Sequence, residues 1–208
     1  MPGRQAKLLS DEHLTNLLRF AQASRHPDRN RVIVLLSFKA GLRAAEIANL
    51  SWAMVIDATG AIAPVIELHD QATKNRGGRR IPVHPDLYTA LSCWRDLSPS
   101  TDFVISSERG DVMRPRSIVN WFAYAYRRIG FEGCSSHSGR RTFITRAARQ
   151  VHKTGGSLRD VQLLAGHRSI QTTQRYIEGD TDAQRKLVST GGPTRTPGQA
   201  IAAPRVRS

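Results

Sequence analysis

The sequence predicts a mainly helical α+β domain, a helical bundle with a small antiparallel β-sheet in its first half. Apolar residues recur three and four positions apart in several stretches, most clearly between residues 117 and 129, as they do on the buried face of a helix. Two short apolar runs flank the turn-rich, basic segment 73–79, which is the pattern of a β-hairpin. The hydrophobic fraction of 39% is sufficient for one packed core.

The first three helices are predicted from the residues at their ends. Ser10 is followed by two acidic residues and then by an apolar stripe, so it is a favourable N-cap. A second helix is predicted at about 31–40 and should end at Gly41, because glycine readily takes the left-handed conformation after a helix. The third helix is predicted at 44–50.

The remaining elements follow from the same signals. Strands are predicted at 63–68, at 80–83 and, as a shorter element, at 103–105. Further helices are predicted from Pro85 onward, at 117–129, at 139–151, at 157–165, and from Ser169 through Tyr176. Residues 191–208 are rich in Pro, Gly, Thr and Arg and hold few large apolar side chains, so this stretch is predicted to be a flexible tail.

The charge of the chain favours a polyanionic partner. There are 31 Lys and Arg against 17 Asp and Glu, which gives a net charge of +14. A compact protein with this excess repels itself unless a polyanion is nearby, and nucleic acid is the usual polyanion. A ribosomal-type structural protein or a merely basic surface would have a similar composition, so charge alone favours nucleic-acid binding only modestly.

Spacing argues against several other classes of protein. Cys93 and Cys134 are far apart and neither belongs to a CxxC pair, so no zinc finger or disulfide framework is predicted. The acidic residues are scattered and no glycine pair has the GKS/T context of a phosphate-binding loop, so we expect neither a metal nor a nucleotide cofactor. No apolar run reaches the roughly 18 residues of a membrane span, and none resembles a signal peptide. A cytoplasmic protein is expected.

Two fragments place cations where an anion could bind. Arg43 follows the predicted helix-ending glycine and precedes the next helix, although a surface pair with Glu46 would explain it equally well. His137 and Arg140 are three positions apart at a helix start, so the two side chains share a face. An HxxR pattern is common by chance, and neither fragment is specific by itself.

Three further residues complete the set. His167 comes just after a helix end, where a histidine is more often a cap or a packed side chain than a catalyst. Tyr176 is predicted on a polar helix without aromatic neighbours, an unusual setting for a core tyrosine. Lys74 lies in the basic turn, where a solvated charge is the simpler explanation.

In order along the chain, these fragments resemble the catalytic domain of the tyrosine recombinase (phage integrase) family. The boxes of that family are approximately G-x-R-x-x-E, a hairpin Lys, H-x-L-R-H, L-x-x-L-L-G-H and T-T-x-x-Y. They correspond here to residues 41–46, Lys74, 137–141, 161–167 and 172–176. The step of nine residues from the last histidine to the tyrosine also matches. The resemblance covers residues 9–180, which predicts a catalytic domain at 1–180 and a C-terminal segment at 181–208.

The chain departs from the family pattern in two respects. H-x-L-R-H is H-S-G-R-R here, with Gly139 in place of the apolar residue and Arg141 in place of the second histidine. Helix packing is expected to differ there, and Arg141 adds a cation beside the reactive site. The family's N-terminal core-binding domain is not expected, so the chain is similar to short single-domain members such as the fimbrial-switch invertases, or to a truncated integrase.

The resemblance implies that Tyr176 attacks a DNA phosphodiester without a metal and forms a 3′-phosphotyrosyl bond, which a strand hydroxyl reseals without ATP. The other implied catalytic residues are Arg43 and Arg140 for the nonbridging oxygens, His137 for proton transfer at the tyrosine, His167 for orienting the phosphate, and Lys74 as the acid for the departing 5′ oxygen.

The implied partner is double-stranded DNA, bound by a homotetramer on paired sites in the nucleoid. Subunits of such a tetramer exchange C-terminal segments, and residues 182–188 are either that exchanged helix or a frayed tail. Backbone-phosphate contacts are predicted for a set of arginines, each of which is equally well explained as a solvated charge. They are Arg76, Arg79, Arg80, Arg114, Arg116, Arg127, Arg128 and Arg141.

Two other functions have to be weighed. A type IB topoisomerase uses similar tyrosine chemistry to relax supercoils, but the spacing from Gly166-His167 to Tyr176 favours a recombinase. A catalytically silent DNA-binding regulator is the alternative from another class. The presence of all six catalytic residues argues against it, because a decaying chain has no reason to retain them.

Overall fold

The computed structural model describes residues 6–69, 78–98, 101–109 and 112–176, with the side chain of His152 excepted. Within these ranges the helices are α1 (Asp11–Gln22), α2 (Pro27–Lys39), α3 (Ala44–Ala48), α4 (Pro85–Leu97), α5 (Pro115–Arg128), α6 (Ser138–Gln150), α7 (Leu158–Ala165) and α8 (Ile170–Gln174). The strands are β1 (Val65–Leu68) and β2 (Arg79–Pro82), and short 3₁₀ helices form at Trp52–Met54 and Val151–Thr154. No helix in the described ranges is long and apolar enough to cross a membrane.

The predicted helix ends depend on local capping, and most are confirmed. The Ser10 hydroxyl accepts a hydrogen bond from the backbone N–H of His13 at 3.2 Å and caps α1. Helix α2 begins four residues earlier than predicted, because Pro27 occupies the first helical position, where its missing N–H costs nothing. It ends as predicted before Gly41, whose φ is 64°.

The sheet is a two-stranded antiparallel ribbon. Strands β1 and β2 pair with Ile66 opposite Ile81 and Glu67 opposite Arg80. The two isoleucines are buried, whereas the side chains of Glu67 and Arg80 are mostly exposed, which is the alternation expected of a ribbon with one face on the core. The prediction of a strand at 103–105 is wrong. Phe103 pairs with Ser51 as an isolated bridge, and a single bridged pair is too short to form a strand.

Helix α2 lies at the centre of the main core. Its residues 32–36 are at most 1% exposed, so the helix is covered on all sides, by α1, α4 and α6 among others. A smaller apolar cluster joins α6 to α7 through Ile144, Ala148 and Val161. This second cluster matters for function, because α6 and α7 carry residues of the candidate site.

The glycine that departs from the family pattern has a packing explanation. A Cβ added to Gly139 would collide with the Ser37 hydroxyl and would lie 2.6 Å from Cδ2 of Phe38. Both neighbours belong to α2, so α6 approaches α2 at Gly139 more closely than any side chain permits. Gly139 therefore permits a close contact between α6 and α2.

Replacing Gly139 with alanine should lower the free energy of unfolding by about 1–3 kcal/mol, the usual cost of overpacking a core. The sign of this change separates overpacking from helix propensity, because alanine would stabilise the helix relative to glycine by about 1 kcal/mol if there were space for its methyl group. Urea denaturation followed by circular dichroism measures the change, with the exposed residue Gln150 of α6 changed to alanine as the control. A Gly139→Ala protein at least as stable as the wild type would contradict the packing explanation.

Candidate active site

A cavity of about 370 Å³ brings five of the six predicted catalytic residues together. Its walls are formed by Ala6, Arg43, His137, Arg140, Arg141, His167, Thr172, Arg175 and Tyr176. The sixth, Lys74, lies outside the described residues, as does Arg76. The residues come from the segment before α1, from the entry to α3, from the first turn of α6 and from the segment between the end of α7 and Tyr176, so the site is assembled from distant parts of the chain.

Arg43 is held at the entry to α3 by the turn that precedes it. Gly41 makes this turn with a positive φ, and a Cβ there would collide with the ring of Phe143. The backbone N–H of Arg43 donates to Oε2 of Glu46 at 2.8 Å, and its guanidinium donates to Oε1 at 2.6 Å. The pair with Glu46 is therefore present, yet one third of the Arg43 side chain remains exposed to the cavity side.

Arg140 is a buried cation. The residue is 4% exposed, and its guanidinium donates to the carbonyl oxygens of Gly41 and Ala165, each at 2.5 Å. Burial, together with the charge of Arg43, lowers the pKa of Arg140 to about 9, so it remains protonated at neutral pH. By bonding both carbonyls, Arg140 joins the turn before α3 to the end of α7.

Glu46 is the buried anion of the cluster. Burial by itself would raise the pKa of this carboxyl, but the hydrogen bonds and charge of Arg79, with those of Arg43, outweigh burial and lower the pKa to about 2. The carboxylate also lies 4.0 Å from Nη1 of Arg140. The sequence pattern indicated Glu46 only as a surface partner of Arg43, and its burial among several arginines was not predicted. The one signal for it was its position in the G-x-R-x-x-E box.

The structure corrects the prediction for Arg79. Its side chain is 5% exposed, and its guanidinium donates to both carboxylate oxygens of Glu46, at 2.9 and 2.8 Å. These donors are used in the interior and, unlike the equally buried Arg140, Arg79 does not line the cavity, so it is not available for a contact with a DNA backbone. The neighbouring Arg80 points outward, with 74% of its side chain exposed and a pair with Glu67 at 3.2 Å.

His167 follows the left-handed residue Gly166, which ends α7 with a φ of 60°. Its Nδ1 lies 3.0 Å from the hydroxyl of Thr173, and its ring stacks on Tyr176 with centroids 5.5 Å apart. Burial, with the charges of Arg140 and other nearby arginines, lowers the pKa of His167 to about 4. The imidazole is therefore neutral at physiological pH in the free protein.

Tyr176 lies just beyond the last helix. Helix α8 ends at Gln174, and the backbone N–H of Tyr176 donates to the carbonyl of Thr173 at 3.0 Å in the following turn. The prediction that a helix carries Tyr176 is wrong, since α8 ends two residues earlier and Tyr176 lies in a turn, where its ring stacks on His167. Its ring is partly buried and forms part of the cavity wall.

His137, Arg141 and Arg175 also line the cavity. His137 precedes α6 as an exposed residue, and it faces the same cavity as Arg140, as their spacing of three predicts. Arg141 also lines the cavity and donates to the carbonyl of Ala6. Arg175 and Thr172 were not predicted as site residues; their only signal is their position within the T-T-x-x-Y box.

The predicted phosphate contacts on α5 and its cap are exposed, at Arg114, Arg116, Arg127 and Arg128.

In the part of the chain that the structure describes, no group of three His, Cys, Asp or Glu side chains is arranged to hold a metal ion. The charged groups around the cavity are instead mainly cationic, with Glu46 buried behind them. Such an arrangement can bind an anion such as a phosphate through guanidinium donors.

The lowered pKa of His167 predicts how stability depends on pH. The histidine titrates at about 4 in the folded protein and near 6.5 when unfolded, so the unfolded chain binds more protons between these values. The free energy of unfolding should therefore fall as the pH is lowered from 6.5 to 4, and His167→Asn should flatten this dependence. Urea denaturation at half-unit pH steps measures it; an unchanged slope in the variant would contradict the burial of His167. The contribution of Glu46 is lost separately, as the pH falls from 4.5 to about 2.

Comparison with known protein sequences identifies relatives along most of the chain. The model of the phage integrase family matches residues 7–182. The tyrosine recombinase XerC of Myxococcus xanthus is 30% identical over 165 residues, which cover 72% of this chain and 50% of that protein. XerC of Pseudomonas fluorescens is 30% identical over 156 residues, covering 73% and 48%. The chain thus spans about half the length of the curated relatives it matches.

Solved structures share the fold. The XerA recombinase superposes with a TM-score of 0.73 at 23% identity, covering 93% of this chain and 68% of that chain. A lambda integrase dimer bound to a COC' core site gives 0.67 at 18% identity, covering 85% and 49%. At such identities the likeness establishes the fold, and it confirms the predicted mainly helical α+β class with a small antiparallel sheet.

Proposed function

Because the chain belongs to the phage integrase family, we propose that it is a site-specific DNA recombinase that cleaves and rejoins strands through a 3′-phosphotyrosyl intermediate. One observation carries the proposal: Tyr176 faces the same cavity as Arg43, Arg140, His137 and His167. A nucleophile and a cluster of cations around a space of about 370 Å³ suit attack on a single phosphate.

The two arginines would stabilise the transition state. A phosphodiester is anionic and repels a nucleophile, and negative charge is present on its nonbridging oxygens throughout the reaction. Guanidinium groups match two such oxygens and stay protonated. Arg140 is already fixed by two backbone carbonyls, so it would lose little freedom on binding the phosphate. Arg43 keeps the exposure needed to reach it.

Three further groups would complete the site, and two of them, His137 and Lys74, would transfer protons. The Tyr176 phenol attacks only when its proton is removed, and the exposed His137 at the cavity is the proposed acceptor. His167, neutral in the free protein, would hydrogen-bond the phosphate and hold the tyrosine ring by stacking. Lys74 is proposed as the acid that protonates the departing 5′ oxygen. The phosphotyrosyl bond retains the energy of the phosphodiester, so resealing would need no nucleotide cofactor.

The proposed partner is double-stranded DNA. Two observations support it: the net charge of +14, and solved neighbours that are described as DNA complexes, such as the Tn1549 transposon integrase with circular intermediate DNA. The proposed backbone contacts are Arg76, Arg80, Arg114, Arg116, Arg127, Arg128 and Arg141, without Arg79. The same proposal includes a homotetramer on paired sites in the cytoplasmic nucleoid. It also includes a catalytic domain at 1–180 and an exchanged segment within 181–208, and that segment lies outside the described residues.

Covalent capture on DNA tests the proposal and does not require a defined target site. The protein is incubated with a pool of nicked duplexes whose central base pairs are randomised, so that cleavage releases a short fragment and traps the adduct. Adducts that survive detergent are sequenced, and the attached peptide is identified by mass spectrometry. We expect a DNA-linked peptide that contains Tyr176.

The alternatives give different results. A pool that yields no adduct, although the protein binds DNA, would support a silent DNA-binding regulator. Relaxation of a supercoiled plasmid, without joining of strands from two selected duplexes, would support a type IB topoisomerase. Strand exchange between two copies of a selected site supports the recombinase.

A further inference from the structure

Arg79 lies behind Arg43 and Arg140, which are two of the four arginines that line the cavity. The Arg79 guanidinium holds both oxygens of Glu46, and its Nε donates to the carbonyl of Leu164 at 3.0 Å. The side chains of Arg79 and Glu46 are 5% and 2% exposed, so their charges interact with little screening by water. Unlike Arg43 and Arg140, Arg79 is absent from the cavity wall.

Glu46 is a competitor for the cations that a phosphate needs. It lies 2.6 Å from a guanidinium nitrogen of Arg43 and 4.0 Å from one of Arg140. A buried carboxylate must be paired, and without Arg79 it would have only these two arginines as cationic partners among the contacts described. They would turn donors toward Glu46 that the phosphate would otherwise receive. With Arg79 in place, the buried anion is neutralised by a cation that the cavity does not use.

The position of Arg79 also depends on the end of α7. A Cβ on Gly166 would lie 2.9 Å from Nη1 of Arg79, so the space for this guanidinium exists because residue 166 has no side chain. The carbonyl of Leu164 accepts from the same guanidinium group. Arg79 therefore links β2, α3 and the segment that leads to His167.

We infer that Arg79 is a positioning residue: it neutralises and holds Glu46, and thereby leaves Arg43 and Arg140 available for the phosphate. The inference deepens the proposed function and rests on it for the identity of the anion as a DNA phosphate. Arg79 itself does not line the cavity that contains the reacting tyrosine.

A double-mutant cycle on Arg79 and Glu46 tests this role. Arg79→Gln should reduce the single-turnover rate of adduct formation at saturating DNA by about 100-fold, the scale of losing one charge-stabilising donor. Adding Glu46→Gln removes the competing anion, so the double variant should recover at least about tenfold, a coupling typical of contacting residues. A purely structural role predicts the opposite, a double variant slower than Arg79→Gln. DNA affinity, measured by fluorescence anisotropy, should change by less than about threefold, because the exposed arginines that are proposed to contact the DNA backbone are unchanged.

The controls separate charge from folding. Arg25 and Glu108 form an exposed pair at 3.1 Å, and Arg25→Gln, Glu108→Gln and their combination should cleave at the wild-type rate. Circular dichroism establishes that each variant is folded. Should Arg79→Gln not fold, Arg79→Lys provides the test, since it retains the charge but cannot make the bidentate contact with Glu46. Arg79→Lys should cleave more slowly than the wild type.

A second readout works without DNA chemistry. Inorganic tungstate is a phosphate-like anion, and isothermal titration calorimetry should show it binding about tenfold more weakly to Arg79→Gln and regaining affinity in the double variant. A wild-type protein that forms no adduct would overturn the proposed function, while this titration would still decide the role of Arg79. Equal cleavage and equal tungstate affinity in wild type and Arg79→Gln, or no recovery in the double variant, would overturn the inference.

Discussion

Tyr176→Phe is expected to abolish the covalent DNA adduct and to leave DNA affinity almost unchanged. Only the phenolic oxygen is lost, and this oxygen is the proposed nucleophile. The phenylalanine ring can still stack on His167, whose centroid lies 5.5 Å from that of Tyr176. Adduct formation is measured on a selected nicked duplex by denaturing gel electrophoresis, and affinity by fluorescence anisotropy.

Tyr124 provides a matched control for this experiment. It is 53% exposed on α5, outside the cavity wall, so Tyr124→Phe should form the adduct at the wild-type rate. An adduct that persists in Tyr176→Phe would show that another residue attacks the phosphate. That result would remove the central element of the proposed mechanism.

Arg43→Ala and Arg140→Ala should each reduce the rate of adduct formation by about 100- to 1,000-fold, since each removes a donor to the developing charge. The two variants should differ in stability. Arg140 is buried and bonds two carbonyls, so Arg140→Ala should also lower the free energy of unfolding by roughly 2–4 kcal/mol. Arg43 is one third exposed, and its loss should destabilise the fold less.

Single-turnover cleavage and urea denaturation of the same preparations measure both effects. Arg43→Lys and Arg140→Lys serve as the matched variants, because lysine keeps the charge but cannot supply two parallel donors. They should fall between the wild type and the alanine variants in rate. If Arg140→Ala lost stability but cleaved at the wild-type rate, Arg140 would be a structural cation and the phosphate clamp would have to be assigned elsewhere.

Most helix boundaries could be predicted because they depend on residues within about one turn. Ser10 caps α1 and Gly166 ends α7 through contacts with near neighbours in the chain. The shorter elements were less predictable: Phe103 forms one bridge to Ser51, a partner 52 positions away along the chain, so no local pattern reports the length of that pairing.

The candidate site shows the same division. The residue types and their order, from Arg43 through His137 and Arg140 to His167 and Tyr176, were sufficient to predict that they would meet. Their arrangement in detail was not predictable. The turn that places Tyr176 against His167 begins where α8 ends, two residues earlier than the sequence pattern indicated.

The sequence by itself determined the elements, their caps, the basic character of the chain and the set of groups able to act on a phosphate. The tertiary structure alone decided which arginines face the cavity and which serve the interior. Arg79 and Arg80 are adjacent and chemically identical, yet one is buried on Glu46 and the other is exposed beside Glu67. The physical reason is that burial and charge pairing depend on residues distant in sequence, here 33 positions away for Arg79 and Glu46, whose proximity only the folded chain establishes.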